Sequence, residues 1–264
     1  HKGRHLGQAR LFVEHRGGSS FGSSEKLKLV LANNKIISER YPEYDQEVQD
    51  FIRQDPLNSA RLALGLAWAG LRNAPLTIYL AHDLGGGAEH YLVDRIRTEI
   101  GNAEDAAAVV LRVGGARKWQ IELHSLGGIL RGETDDTALM QQLLTLIPAR
   151  HIVYSCGVGA RNPTEVPAIL TKLASGGSHS LEVLFHDFLP ISPSYTLLDA
   201  DGVFRGVPNV DEPIDEAHQF LTAQGERMSL LDWQEAWGEM MQAADHVTVF
   251  SKDSASLVAC AYPQ

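Results

Sequence analysis

Two His-Asp pairs stand out in this 264-residue chain, His82-Asp83 and His186-Asp187, each after a short apolar run. An imidazole at a strand end can serve as base, as acid or as hydrogen-bond donor to a sugar hydroxyl. The plainer alternative is a histidine that caps the strand and an aspartate that fixes a turn. His186-Asp187 runs into FLPISPSY, a proline-rich loop, whereas the repeat of the dipeptide makes one of the two pairs easier to read as structural. Ser155-Cys156 has nucleophile types, but no nucleophile elbow surrounds it, and a cysteine there reads as packing. Ser251 ends another apolar run. No His/Cys/Asp/Glu spacing matches a zinc site.

A glycine turn adds a second kind of chemistry. LTIYLAHDLGGGAEHYL, residues 76–92, reads as strand, turn and helix. Gly85, Gly86 and Gly87 let the backbone turn sharply and approach a ligand closely, since no Cβ intervenes. A helix over 88–100, with Tyr91, Leu92, Ile96 and Ile100 on one face, would aim free N–H groups at that loop and favour an anion there. The spacing is not G-x-G-x-x-G, so the dinucleotide fingerprint does not apply.

The elements that must position these groups alternate from residue 76 onward. Strands are expected at 76–80, 107–113, 119–124, 128–133, 151–155, 181–185 and 247–250, the third and fourth as a hairpin. Helices are expected through Leu139 to Ile147, capped by Asp135 or Asp136, through Val166 to Leu173, capped by Thr164, and over 230–244 and 252–261. Trp233 and Trp237, one helical turn apart, read as core rather than as a sugar platform, and His90, His124 and His246 as packing or surface residues. Residues 195–204 read as a small hairpin or irregular insertion. Such β-α alternation predicts a doubly wound, mostly parallel, Rossmann-like α/β sheet with helices on both faces. Ligands collect at the carboxyl ends of its strands. His82, Asp83, Ser155, His186, Asp187 and Ser251 all fall there, so residues dispersed in sequence would converge in space.

Residues 1–75 follow another pattern: a short strand at 9–15, then helices at 25–41, 44–53 and 57–72, the first with Leu27, Val30, Leu31 and Ile37 as its stripe. They read as a helical extension, the tail of a preceding module, before a domain at 76–264. The net charge of −10 argues against nucleic acid as a partner. Two cysteines make no disulfide framework, so a cytoplasmic setting is the simpler inference. The start HKGRHLGQAR lacks a Met and a signal peptide and reads as a segment of a longer polypeptide. The apolar stretch at 57–71 carries Arg61 and is too short to span a bilayer, which leaves room for a peripheral contact at the inner face of a membrane.

HDLGGGAEHYL, LFHDFLPISPSYTLLD and ADHVTVFSKDSASLV together resemble the N-terminal, acceptor-side domain of a retaining GT-B glycosyltransferase of the family four type, over residues 76–264. That resemblance implies two Rossmann-like domains across a cleft, a nucleotide-sugar as donor co-substrate, a glycan or lipid-linked acceptor, and neither cofactor nor metal. It implies that Gly85, Gly86 and Gly87 lie against donor phosphates or acceptor. His186 would be the active-site histidine beside the transferred sugar, Asp187 would position it or the acceptor, and Ser251 would end the last strand before the interdomain link. The donor-binding domain, with its paired glutamates, would be a C-terminal partner after Gln264, so the chain by itself would not turn over. Residues 11–61 look like the end of a GT-A, family two glycosyltransferase module, with His15 near its metal-bound nucleotide. The combined expectation is a segment of a polysaccharide-building enzyme. Two rivals stay open: a non-catalytic glycan- or partner-binding domain, and a nucleotide-binding oxidoreductase with Glu104 or Asp105 on the ribose.

Overall fold

The computed structural model describes residues 23–71, 74–101, 103, 105–176, 179–222 and 225–263. The expected strand at 9–15, His15 and Glu104 lie outside them. The chain divides into two compact units, His1–Pro56 and Leu57–Gln264.

The first unit holds α1 (Ser23–Arg40) and α2 (Tyr44–Gln54), tied by a hydrogen bond from Ser38 Oγ to Asp45 Oδ2 of 3.1 Å. Asp55, in the left-handed region at φ 41°, closes α2 by donating its N–H to the Phe51 carbonyl. Leu27, Val30 and Leu31 are exposed and do not form the buried stripe their spacing suggested, because two helices cannot enclose a core.

The second unit opens with α3 (Asn58–Ala69) and continues β1 (Leu76–His82), α4 (Gly87–Ile100), β2 (Ala107–Val113), β3 (Trp119–Ser125), β4 (Gly128–Thr134), α5 (Thr137–Leu144), β5 (Arg150–Tyr154), α6 (Glu165–Leu173), β6 (Ser180–Phe185), the short pair β7 (Phe220–Leu221) and β8 (Arg227–Met228), α7 (Leu230–Ala243), β9 (His246–Val249) and α8 (Lys252–Ala261). The seven-stranded sheet has the order β4-β3-β2-β1-β5-β6-β9. Pairing is parallel from β2 through β9, and β3 and β4 extend it as an antiparallel hairpin. This is a mostly parallel, Rossmann-like α/β sheet with flanking helices. β1, β2 and β5 read as near-continuous apolar runs because layers on both faces bury them.

By contact the unit begins at Leu57 rather than at residue 76. Leu62 and Leu66 of α3 are buried in the main core with Trp119, Ile121 and Leu123 of β3. The approach is close: a Cβ on Gly65 would come within 2.9 Å of Leu130 Cδ1, and one on Gly132 within 2.8 Å of Leu62 Cδ2. The same core takes in residues of α5, α6 and α7, including Trp233 and Trp237, the latter edge-on to Tyr154 at 5.2 Å.

The opposite face carries a smaller cluster in which Leu92 and Ile96 of α4 meet Tyr79, Ala108, Val110, Val153 and Leu184. Polar pairs hold α4 near both of its ends. Arg95 reaches Glu182 of β6 with bonds of 3.2 and 2.6 Å, Tyr79 donates its hydroxyl to Glu99, and Glu89 accepts from Arg112 of β2.

Local capping differs from expectation in places. Asp136 accepts from the N–H groups of Ala138 and Leu139 and starts α5, which ends at Leu144 rather than at Ile147. Thr164 precedes α6 but its hydroxyl donates to Asn162 Oδ1 instead of accepting from the helix. Residues 195–204 form an irregular insertion with one bridge, Leu198 to Phe204, organised by the Asp199 carboxylate. Among the described residues no helix is long and apolar enough to cross a membrane.

Candidate functional site

The order of strands reverses at β1, which has β2 on one side and β5 on the other, both parallel to it. At such a switch point the loops leave in opposite directions and open a crevice at the carboxyl ends. β1 ends there in His82 and the glycine turn, β5 in Ser155 and Cys156, β6 in His186 and Asp187, and β9 in Phe250 and Ser251.

The turn after β1 is shaped by backbone. His82 is buried, its Nδ1 accepts from the Leu84 N–H at 2.8 Å, and its carbonyl accepts from Arg112 at 3.0 Å. Gly85 and Gly86 have φ of 74° and 90°, values that residues with a side chain rarely adopt, and a Cβ on either would meet nothing within 4 Å. Gly87 also faces open space and begins α4, whose first N–H groups receive no side-chain cap. The turn is therefore open, with a helix N-terminus behind it.

His186 stands between two aromatic rings. Tyr91 of α4 meets it edge-on with centroids 4.9 Å apart, and Phe250 stacks on it at 4.5 Å. Its Nε2 is buried without a hydrogen-bond partner among the described residues. Burial, with a smaller contribution from nearby His82, holds its pKa below the ordinary histidine value, so the neutral imidazole is favoured. Ser155 Oγ, at the end of β5, is likewise buried and unpartnered. A buried polar atom left unpaired is costly, and two at strand ends beside one crevice is a pattern that a bound ligand would relieve.

Asp187 turns to other partners. Its Oδ2 accepts from Cys156 Sγ at 2.8 Å and its Oδ1 from the Leu189 N–H at 2.8 Å. Burial raises its pKa despite both bonds, and burial together with Asp187 raises that of the Cys156 thiol. The thiol is thus kept protonated, which fits a packing and hydrogen-bonding cysteine. Ser251 is committed to a helix cap: its Oγ accepts from the Ser254 N–H at 3.0 Å and donates to Ser254 Oγ at 2.9 Å.

Of the residues singled out from sequence, the switch point gathers Gly85, Gly86 and Gly87, and the neighbouring strand ends carry Ser155 and His186. Asp187 serves the loop after β6, and Ser251 serves α8. Tyr91 and Phe250 are the two partners of His186 that spacing did not reveal as site residues. Each reads as an ordinary apolar position of its element, and only the register of β6 against β9, with Phe185 opposite Val249, brings Phe250 next to His186.

No protein-family model, no curated protein and no solved structure matches this chain.

Proposed function

We propose that the chain is the acceptor-side, Rossmann-like half of a retaining GT-B glycosyltransferase that moves a hexose from a nucleotide-sugar to a hydroxyl of a growing glycan or lipid-linked acceptor. The observation that carries the reading is His186, a neutral imidazole at the carboxyl end of a parallel strand with a buried Nε2 that no described residue engages. In this reading Nε2 hydrogen-bonds the sugar in transit. The bond from the sugar's anomeric carbon to phosphate breaks, the bond to the acceptor oxygen forms on the same face, and the acceptor's proton leaves with the phosphate. The uncapped start of α4 and the open glycine turn supply N–H groups where negative charge develops on the leaving group. The reading assigns Asp187 to shaping the loop after β6 and assigns the rest of the donor site to a C-terminal partner domain.

The test is a transfer assay on the polypeptide that carries this sequence, offered a panel of labelled nucleotide-sugars and glycan acceptors. His186→Ala lowers kcat by more than about tenfold, roughly 1.4 kcal/mol of transition-state stabilisation. Unchanged turnover in that variant removes His186 from the chemistry. Glycan binding without transfer from any donor replaces the enzyme with a non-catalytic binding module.

A further inference from the structure

A pocket of about 440 Å³ opens beside the glycine turn, lined by Asp83, Gly85, Glu89, Arg112, Gln120, Glu122 and Arg131. Its volume falls within the roughly 300–1,000 Å³ of small-molecule sites. Arg112, on β2, donates from both terminal nitrogens to Glu89 at 2.8 Å and from Nε to Glu122 Oε2 at 3.1 Å. Glu122, on β3, also receives Gln120 Nε2 at 2.8 Å, His124 Nε2 at 2.9 Å and Arg131 Nε at 3.0 Å. Buried Arg112 and Glu122 are thus satisfied by their neighbours and form a rigid base.

Three groups around that base remain uncommitted among the described residues. They are the Asp83 carboxylate from the loop after β1, the Gln120 Oε1 from β3, and the two terminal nitrogens of Arg131 from β4. Two of them accept and one donates. The three carboxylates outnumber the two guanidinium groups, which disfavours a phosphate or a free carboxylate as ligand. Adjacent hydroxyls of a sugar ring donate and accept at once, and planar carboxylate, amide and guanidinium groups match that pattern.

We infer that this pocket holds an uncharged sugar residue of an oligosaccharide. Calling that sugar part of the acceptor rests on the glycosyl-transfer reading; the binding itself does not.

The chain is titrated by calorimetry with a panel of neutral oligosaccharides, with uronate-bearing oligosaccharides, glycine and inorganic phosphate alongside. At least one neutral oligosaccharide binds, and the double variant Gln120→Ala, Arg131→Ala weakens it more than tenfold. Arg112 and His124 still pair with Glu122 in that variant, and near-ultraviolet circular dichroism checks that its fold is kept. Asp83→Asn, a single change on an exposed loop, weakens the same ligand at least threefold. The inference is overturned by equal affinity in the wild type and both pocket variants, by failure of every neutral oligosaccharide to bind, or by preference for the uronates, glycine or phosphate. Because binding is read without donor, transfer that persists while pocket binding fails overturns the pocket alone. Pocket binding that persists without transfer supports the pocket and removes only the enzyme reading.

Discussion

The phenyl ring of Phe250 lies nearly parallel to the imidazole of His186, with 4.5 Å between centroids and 18° between planes. The stack joins the loop after β9 to the end of β6 and helps to keep water from the imidazole. Phe250→Ala therefore moves the His186 titration upward, towards the ordinary value of 6.5, as read from its imidazole proton shifts against pH. The sign for stability follows. The folded state prefers neutral His186, so its contribution is complete above about pH 6.5 and declines as pH falls and the unfolded chain takes up the proton. Urea titrations show that decline in the wild type and a shallower one in Phe250→Ala. An identical His186 midpoint in the two proteins refutes the shielding role.

The Cys156 thiol is the only side-chain donor that the described residues offer to the Asp187 carboxyl. Cys156→Ala leaves a buried acceptor short of one hydrogen bond and destabilises by about 1–3 kcal/mol. Cys156→Ser restores a donor and recovers part of the loss in the same urea titration. Asp187 titrates above the ordinary carboxylate value because of its burial. The folded state thus holds the proton more tightly, and this contribution to stability is lost as pH rises from about 3.8 through the raised value. Equal stability of the alanine and serine variants refutes the hydrogen-bond account.

How much of this was legible in the sequence depends on the range of the interaction. The runs LTIYLAH and AAVVLRV announced buried parallel strands because burial on both faces leaves no alternation, and the sheet followed from repeated β-α units. The turn at Gly85 and Gly86 is legible because positive φ strongly favours glycine. The place of α3 was not: its apolar residues suit any partner, and only Gly65 and Gly132, 67 positions apart in the chain, show how closely it seats on β4. The family resemblance has Asp187 position His186 or the acceptor, whereas its hydrogen bonds go to Cys156 and Leu189. The aromatic pair around His186 depends on two further elements, α4 and the end of β9, whose meeting no local pattern encodes.

Burial pushes the pKa of Glu122 up, but the His124 hydrogen bond and the Arg112 charge prevail and bring it from 4.5 to about 2. Arg112→Met removes the central cation from a buried cluster and costs about 3–5 kcal/mol near neutral pH. The loss depends on pH. The pairing of Glu122 contributes fully above about pH 4.5 and fades as pH falls towards 2, so the gap between variant and wild type narrows in acid. Guanidinium unfolding at pH 7 and pH 3 measures both gaps. A gap that is unchanged between them assigns the loss to packing and not to charge.

Gly86 and Gly87 are neighbours with different constraints, and alanine at each separates the two. Gly86 adopts φ 90° and ψ −164°, a region essentially closed to residues with a Cβ, although the space around it is empty. Alanine there is strained by backbone alone and costs about 1–3 kcal/mol, with the turn free to move away from the start of α4. Gly87 is the first residue of α4, outside the positive-φ set, and a Cβ on it touches nothing within 4 Å. Alanine there is neutral or gains a few tenths of a kcal/mol by restricting the unfolded chain. Thermal unfolding ranks the two, and a Gly87→Ala loss as large as that of Gly86→Ala disproves the backbone argument. The same pair bears on function. If the turn serves to let a ligand approach, Gly87→Ala lowers ligand affinity while stability holds, because the added methyl projects into the open space that the glycines leave.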